Sequence, residues 1–246
     1  MTKKHDNLFN TLASNIESFC FDEQVTAVFA DMIRRSVPGY ASVIAMTGVL
    51  GAEHVKPNTR VYDLGCSLGT SLISIYDRVE SPCELIGIDN APAMIKACEQ
   101  NLATRPNKPQ IKISLRCEDV SDVEIKNASL VVMNYTLQFI APEKRLTLLS
   151  NIFNGLNAGG VLLLSEKVHF KGKTTEDALT KLYYDFKKHN GYSALEISQK
   201  RQALENVLIT ETEQDHIERL NLAGFSHAMS WFQCINFRSF IAFKSA

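Results

Sequence analysis

With 246 residues, 26 basic and 27 acidic side chains and a formal net charge of −1, the chain carries no electrostatic footprint for a nucleic-acid backbone. Its six cysteines form no Cys-x-x-Cys pair and its six histidines no His-x-x-x-His pair, so a disulfide scaffold and a zinc centre are both unexpected. No apolar run approaches the ~20 residues of a membrane span, and Met1–Asn7 lack the apolar segment of a leader, so the expected setting is the reducing cytoplasm.

Residues 1–20 are polar and mixed, and read as a partly mobile arm. Asp22 is placed to cap a helix running to about Ser36, with Val25, Val28, Phe29, Met32 and Ile33 at helical spacing. Val37-Pro38-Gly39 breaks it, and a second, more apolar helix runs from about Tyr40 to His54. Strands are then expected at 60–64, 84–89, 111–116, 129–134 and 160–166, alternating with helices at 69–79, 91–103 and 142–155. Runs such as Leu130-Val131-Val132-Met133 lack polar alternation, as parallel strands covered on both faces do. Asn157-Ala158-Gly159-Gly160 reads as the turn into the fifth strand. Two helical stretches, about 175–190 and 193–206, break the rhythm. Ser193 with Glu196, and Thr210 with Glu213, have capping-box spacing. A helix over 211–223 ends at Gly224, and two β-rich runs, 228–234 and 237–244, close the chain.

The fold class is therefore α/β: a Rossmann-like, seven-stranded, mostly parallel sheet with a C-terminal antiparallel hairpin. Its organisation reads as an N-terminal arm and helices over 1–56, then a nucleoside-binding domain over 57–246 with a helical insertion at about 167–209.

Ligands of open α/β sheets bind outside the carboxyl ends of the strands. The run Asp63-Leu64-Gly65-Cys66-Ser67-Leu68-Gly69 ends the first strand as D-x-G-x-x-x-G. A dinucleotide fold wants G-x-G-x-x-G, and a triphosphate cradle wants a lysine in the loop. Here an acid precedes the glycine, which repels phosphate and suits a sulfonium or ammonium. Asp89 and Asn90 end the second strand, where a carboxylate accepts from a ribose diol. Asp119 and Val120 follow the third, placed to meet an adenine edge. Asn134 ends the fourth, beside the expected sulfur; its plainer reading is a turn residue. An acid after a strand is ordinarily just solvated, and Asp119 gains weight from its register with Asp63 and Asp89. The first motif resembles that of S-adenosylmethionine-dependent methyltransferases. Two further features suit anions: Arg34-Arg35 before Tyr40, and Lys200-Arg201 on the inserted helix, although such pairs are usually solvated.

Several segments together resemble the carboxy-S-adenosyl-L-methionine synthase family: Arg35-Ser36-Val37-Pro38-Gly39-Tyr40, the first-strand motif, Ile88-Asp89-Asn90, Thr136-Leu137-Gln138-Phe139 and Glu196-Ile197-Ser198-Gln199-Lys200-Arg201. The resemblance runs from about Phe21 to Lys244, leaving out the arm. It implies that S-adenosylmethionine and prephenate give carboxy-S-adenosylmethionine and phenylpyruvate, the product serving a separate tRNA carboxymethyltransferase that acts on wobble uridine. It further implies a homodimer, no direct nucleic-acid contact and no metal. By the same resemblance Arg201 grips the transferred carboxylate, reaching from a neighbouring subunit, and Tyr40 is its cofactor-side companion. Asp63, Gly65, Cys66, Ser67, Asp89, Asn90, Asp119, Val120 and Asn134 fall on cofactor positions. An ordinary small-molecule methyltransferase shares every cofactor residue and differs at the anion grip. A non-catalytic binding module on tRNA enzymes is a third reading.

Overall fold

The structure is a computed structural model that describes residues 5–12 and 16–245. Two helices, α1 (Glu23–Ser36) and α2 (Tyr40–His54), lead into β1 (Thr59–Leu64), α3 (Thr70–Tyr76), β2 (Cys83–Asp89), α4 (Pro92–Leu102) and β3 (Ile111–Cys117). The chain continues through β4 (Ala128–Asn134), α5 (Pro142–Gly155) and β5 (Leu156–Lys167). Helices α6 (Lys173–His189), α7 (Ala194–Leu204) and α8 (Glu213–Leu222) then precede the hairpin β6 (His227–Cys234) and β7 (Phe237–Phe243). The sheet has seven strands in the order β3-β2-β1-β4-β5-β7-β6. Strands β1 to β5 pair in parallel, and β7 pairs antiparallel with both β5 and β6. The expected architecture is the observed one.

Unbroken apolar runs make sense because each strand feeds two cores. Side chains alternate faces along a strand. Leu130 and Val132 of β4 pack with α3 and α4 residues such as Leu72, Ile75 and Cys98, whereas Val131 and Met133 pack with Leu148, Leu149 and Ile152 of α5. Each fully buried side chain of this kind contributes about 1.5–3 kcal/mol. Strand order reverses at β1, which lies between β2 and β4. Carboxyl ends diverge at such a point and open a crevice.

Local signals held at most helix ends. Asp22 accepts from the Val25 N–H at 2.8 Å, and Ser193 and Glu196 form the expected capping box. Two expectations are corrected. The α8 box is made by Thr212 and Asp215, because the Thr210 hydroxyl meets His169 Nδ1 and Glu213 meets Arg238. The glycine turn at 157–160 is an irregularity inside β5, where pairing jumps from Ala128–Leu156 to Leu130–Val161.

The N-terminal arm also departs from expectation over its described residues; 1–4 and 13–15 lie outside them. Asp6 is only 1% exposed. It accepts a hydrogen bond from the Tyr192 hydroxyl, and its N–H donates to Asp31 at 2.9 Å. Arg35 fastens this corner. Its guanidinium donates to the Asn190 carbonyl at 2.7 Å, to the Asp6 carbonyl at 3.0 Å and to Asp31 at 3.2 Å, and stacks 3.8 Å from the Tyr192 ring centre. A buried charge with this many partners ties the arm, α1 and the α6–α7 corner into one cap over the sheet's carboxyl edge. Composition hid this, because one polar residue of the arm, Asp6, is the partner of a buried arginine while its neighbours His5, Asn7, Asn10 and Thr11 are exposed.

Removing one member of a buried ion pair costs about 3–5 kcal/mol. Arg35→Ala is therefore expected to lower unfolding stability in urea by about that amount and to raise amide exchange at residues 5–12 and 190–193. Unchanged exchange at both segments would contradict the anchoring role.

Candidate functional site

Glycine makes the edge of the site. Gly65 and Gly69 sit at φ 79° and 78°, a region closed to most side chains. A Cβ on Gly65 would come within 2.2 Å of Thr136 Oγ1, and one on Gly69 within 2.5 Å of Cys98 Sγ. The loop between them turns Ser67 so that its N–H donates to Asp89 Oδ2 at 2.9 Å, while the Ala91 N–H donates to Oδ1 at 3.0 Å. Burial raises the Asp89 pKa and these two bonds oppose it. Each oxygen keeps acceptor capacity for a diol.

These strand tips floor a cavity of about 950 Å³, walled by α1, α2, the 135–140 loop, α6 and α7. Tyr40, Gly65, Cys66, Ser67, Asp89, Asn90, Asp119, Val120, Asn134 and Arg201 all line it. Asp63 does not. It lies behind the wall at 1% exposure, its Oδ2 unpaired among the described residues. Burial pushes its pKa up to about 7, against a backbone hydrogen bond from Leu72, and the charge of Asp89 adds to the rise. Asp63 thus lies beneath the lining of the cavity rather than in it.

Other groups here are locked in their neutral forms. The Tyr40 hydroxyl shares a 2.6 Å hydrogen bond with Thr70, and burial lifts its pKa to about 12. The Cys66 thiol is pushed up by its hydrogen bond with Cys98 and by burial, so it is no nucleophile. The Asn134 amide is held on both sides: Nδ2 donates to Ser71 at 3.1 Å and Thr47 at 3.2 Å, and Oδ1 accepts from Ser165 at 2.7 Å. One lone pair of Oδ1 is left for a ligand.

Sequence reading missed several residues in the wall and behind it. Tyr135 lines the cavity at φ 62°, a strained value for an aromatic residue, and its buried hydroxyl has no partner among the described residues. Glu166 is fully buried and accepts from the Leu137 and Gln138 N–H groups at 2.9 and 3.0 Å, which fixes the loop carrying Tyr135. Burial raises its pKa to about 8. Its position at the end of an apolar strand was the available signal. Lys167 and Lys187 reach the wall from the insertion side as well, beside Lys200 and Arg201, which the sequence had singled out. The strand tips bring acids to the cavity, and the side opposite brings four cations together with Glu176 and Glu205.

A methyltransferase domain family matches residues 61–160. The chain is 49% identical over 245 residues to the carboxy-S-adenosyl-L-methionine synthase of Geobacter sp. (strain M21), covering 99% of this chain and all of that one. It is 47% identical over 241 residues to the enzyme of that name from Citrobacter koseri, covering 98% and 97%. The likeness thus includes the arm, which sequence reading had left out. Among solved structures, a putative O-methyltransferase from Nostoc punctiforme aligns with a TM-score of 0.62 at 16% identity, over 90% of this chain and 60% of that one. Human N-acetylserotonin methyltransferase in complex with S-adenosylmethionine aligns at 0.61 and 18%, over 91% and 56%. These two establish the fold.

The Asp63 carboxyl has a sign to its pH dependence. Its folded pKa of about 7 lies above the ordinary 3.8, so it costs the ligand-free protein stability as pH rises through that window. A cationic ligand favours the ionised form. Affinity for S-adenosylmethionine is therefore expected to rise with pH up to and through about 7, and Asp63→Asn to flatten the rise. Calorimetric titration at several pH values checks this; a flat wild-type profile would contradict it.

Proposed function

Because the chain belongs to the carboxy-S-adenosyl-L-methionine synthase family, a group of S-adenosylmethionine-dependent transferases, we propose that it converts S-adenosylmethionine and prephenate into carboxy-S-adenosylmethionine and phenylpyruvate. The observation that carries the proposal is the charge distribution of the cavity. Acids at the tip of β2 and in the β3 loop, with Asp63 buried behind them, suit an adenosyl sulfonium, and the lysines and arginine opposite suit an anionic second reactant. A neutral methyl acceptor would have no use for the second group.

The reaction balances without a protein base. Prephenate's ring carboxyl carbon leaves the ring for the methyl carbon, its hydroxyl departs as hydroxide as the ring becomes aromatic, and that hydroxide takes the methyl proton to give water. The side chains present agree with this. Tyr40 is held at about 12 and Cys66 and Tyr135 above their ordinary values, while the carboxylates are far too weak as bases for a methylsulfonium proton. What the protein contributes is placement and charge. Asp89 accepts from the ribose diol, Asp119 and the Val120 N–H meet the adenine edge, and Arg201 grips the transferred carboxylate through two parallel hydrogen bonds. The product would serve a separate tRNA carboxymethyltransferase; with a net charge of −1, this chain has no need to hold the tRNA.

Incubation with S-adenosylmethionine and prephenate is expected to yield a nucleoside heavier by one carbon dioxide, with phenylpyruvate in equal amount, by mass spectrometry. Arg201→Ala should lose the heavier nucleoside while still binding S-adenosylhomocysteine. Formation of S-adenosylhomocysteine with some acceptor, and indifference to prephenate, would point to an ordinary methyltransferase instead.

A further inference from the structure

Two of the cavity's cations, Lys167 and Lys187, meet an aromatic ring rather than an acid among the described residues. Lys167 ends β5 and Lys187 lies in the last turn of α6, and both line the cavity together with Tyr183. Their ammonium groups sit 5.0 and 4.6 Å from the centre of the same Tyr183 ring. Among the described residues neither ammonium makes a hydrogen bond or an ion pair. Lys200, by contrast, donates to Ser36 at 3.1 Å and lies 3.8 Å from Asp6. The acid whose charge is felt at Lys167, Glu176, is already held by the Phe170 N–H at 2.8 Å and the Thr180 hydroxyl at 3.2 Å.

An unpaired cation at 5% exposure is costly. Burial pushes the Lys187 pKa down to about 7, with Lys200 and Lys167 adding to the fall, and burial also lowers Lys167. A structural role would be served as well by a methionine or leucine against Tyr183. The arrangement makes sense if an anion arrives between the two ammonium groups and restores their charge.

We infer that Lys167 and Lys187, beside the Tyr183 ring, form a second anion subsite that holds the carboxylate the co-substrate keeps. This rests on the reaction proposed above, in which prephenate is a dianion: one carboxylate is transferred under Arg201, and the other, on the pyruvyl side chain, stays with the product. The subsite makes the enzyme selective for dicarboxylates and explains why the cationic wall extends beyond Arg201. Phenylpyruvate keeps only the second carboxylate, so it reports on this subsite alone.

Steady-state kinetics of wild type, Lys167→Met, Lys187→Met and Lys187→Arg test the assignment. Loss of one charge-assisted contact is expected to raise the KM for prephenate about ten- to hundredfold in each Met variant, with a smaller change in kcat. Inhibition by phenylpyruvate should weaken by the same ratio, Lys187→Arg should retain most of both, and S-adenosylhomocysteine affinity should not move. Unchanged KM and unchanged phenylpyruvate inhibition in both Met variants would overturn the inference. So would a loss of S-adenosylhomocysteine affinity, which would assign the lysines to the nucleoside's own carboxylate. If a Met variant does not fold, acylation of the Lys187 amine in wild type reads the contact directly. Phenylpyruvate should slow it, and an unchanged rate overturns the subsite. A wild type that makes no carboxylated nucleoside from prephenate would sink the underlying reaction, and the subsite with it, a result distinct from all of these.

Discussion

Opposite charge at the two ends of one cavity is the constraint on which the rest of the structure depends. Asp63 and Asp89 end strands of the sheet and Asp119 follows β3, and Lys167, Lys187, Lys200 and Arg201 belong to the last residue of β5 and the insertion that follows it. Neither set is neutralised across the gap by the protein. Asp63, Lys187 and Lys200 are buried and Asp89 and Lys167 half-buried, where a charge interacts far more strongly than at the surface, whereas Asp119 and Arg201 are exposed. A cation at one end and an anion at the other complete the electrostatics. Carboxyl transfer onto a sulfonium methyl brings such a pair together.

The scaffold keeps these charges apart by rigid means. Left-handed glycines at 65 and 69 bring backbone rather than side chains to the floor, and the Ser67 N–H holds Asp89 in place. On the opposite side Arg35 binds the arm to the α6–α7 corner, and Lys200 reaches Asp6 on that arm. The segment that read in sequence as a partly mobile arm thus positions the helix that carries Arg201. Glu166 does the same for the loop bearing Tyr135.

How much of this could be read in advance follows from what each feature depends on. Strand tips were legible because parallel strands are unbroken apolar runs and a glycine after one marks a tight turn. Helix starts at Asp22 and Ser193 were legible because a cap is a local event over three residues. The α8 cap was misplaced because two boxes of equal spacing compete there, and His169 and Arg238, distant in sequence, decide between them. Asp63 was expected at the ligand, and its position behind the wall depends on packing that no motif encodes. Lys167, Lys187 and Tyr183 carried no signal at all. A lysine in the last turn of a helix reads as a favourable end charge, and the absence of a partner is a property of three dimensions.

On the proposed function the cavity is complementary to a zwitterionic, carboxylated sulfonium rather than to a simple sulfonium. Competition binding of carboxy-S-adenosylmethionine against S-adenosylmethionine tests that claim most directly. A carboxylate gripped by Arg201 should make the carboxylated nucleoside bind about ten- to hundredfold more tightly, and Arg201→Ala should erase the difference. Equal affinity of the two nucleosides for the wild-type protein would contradict it.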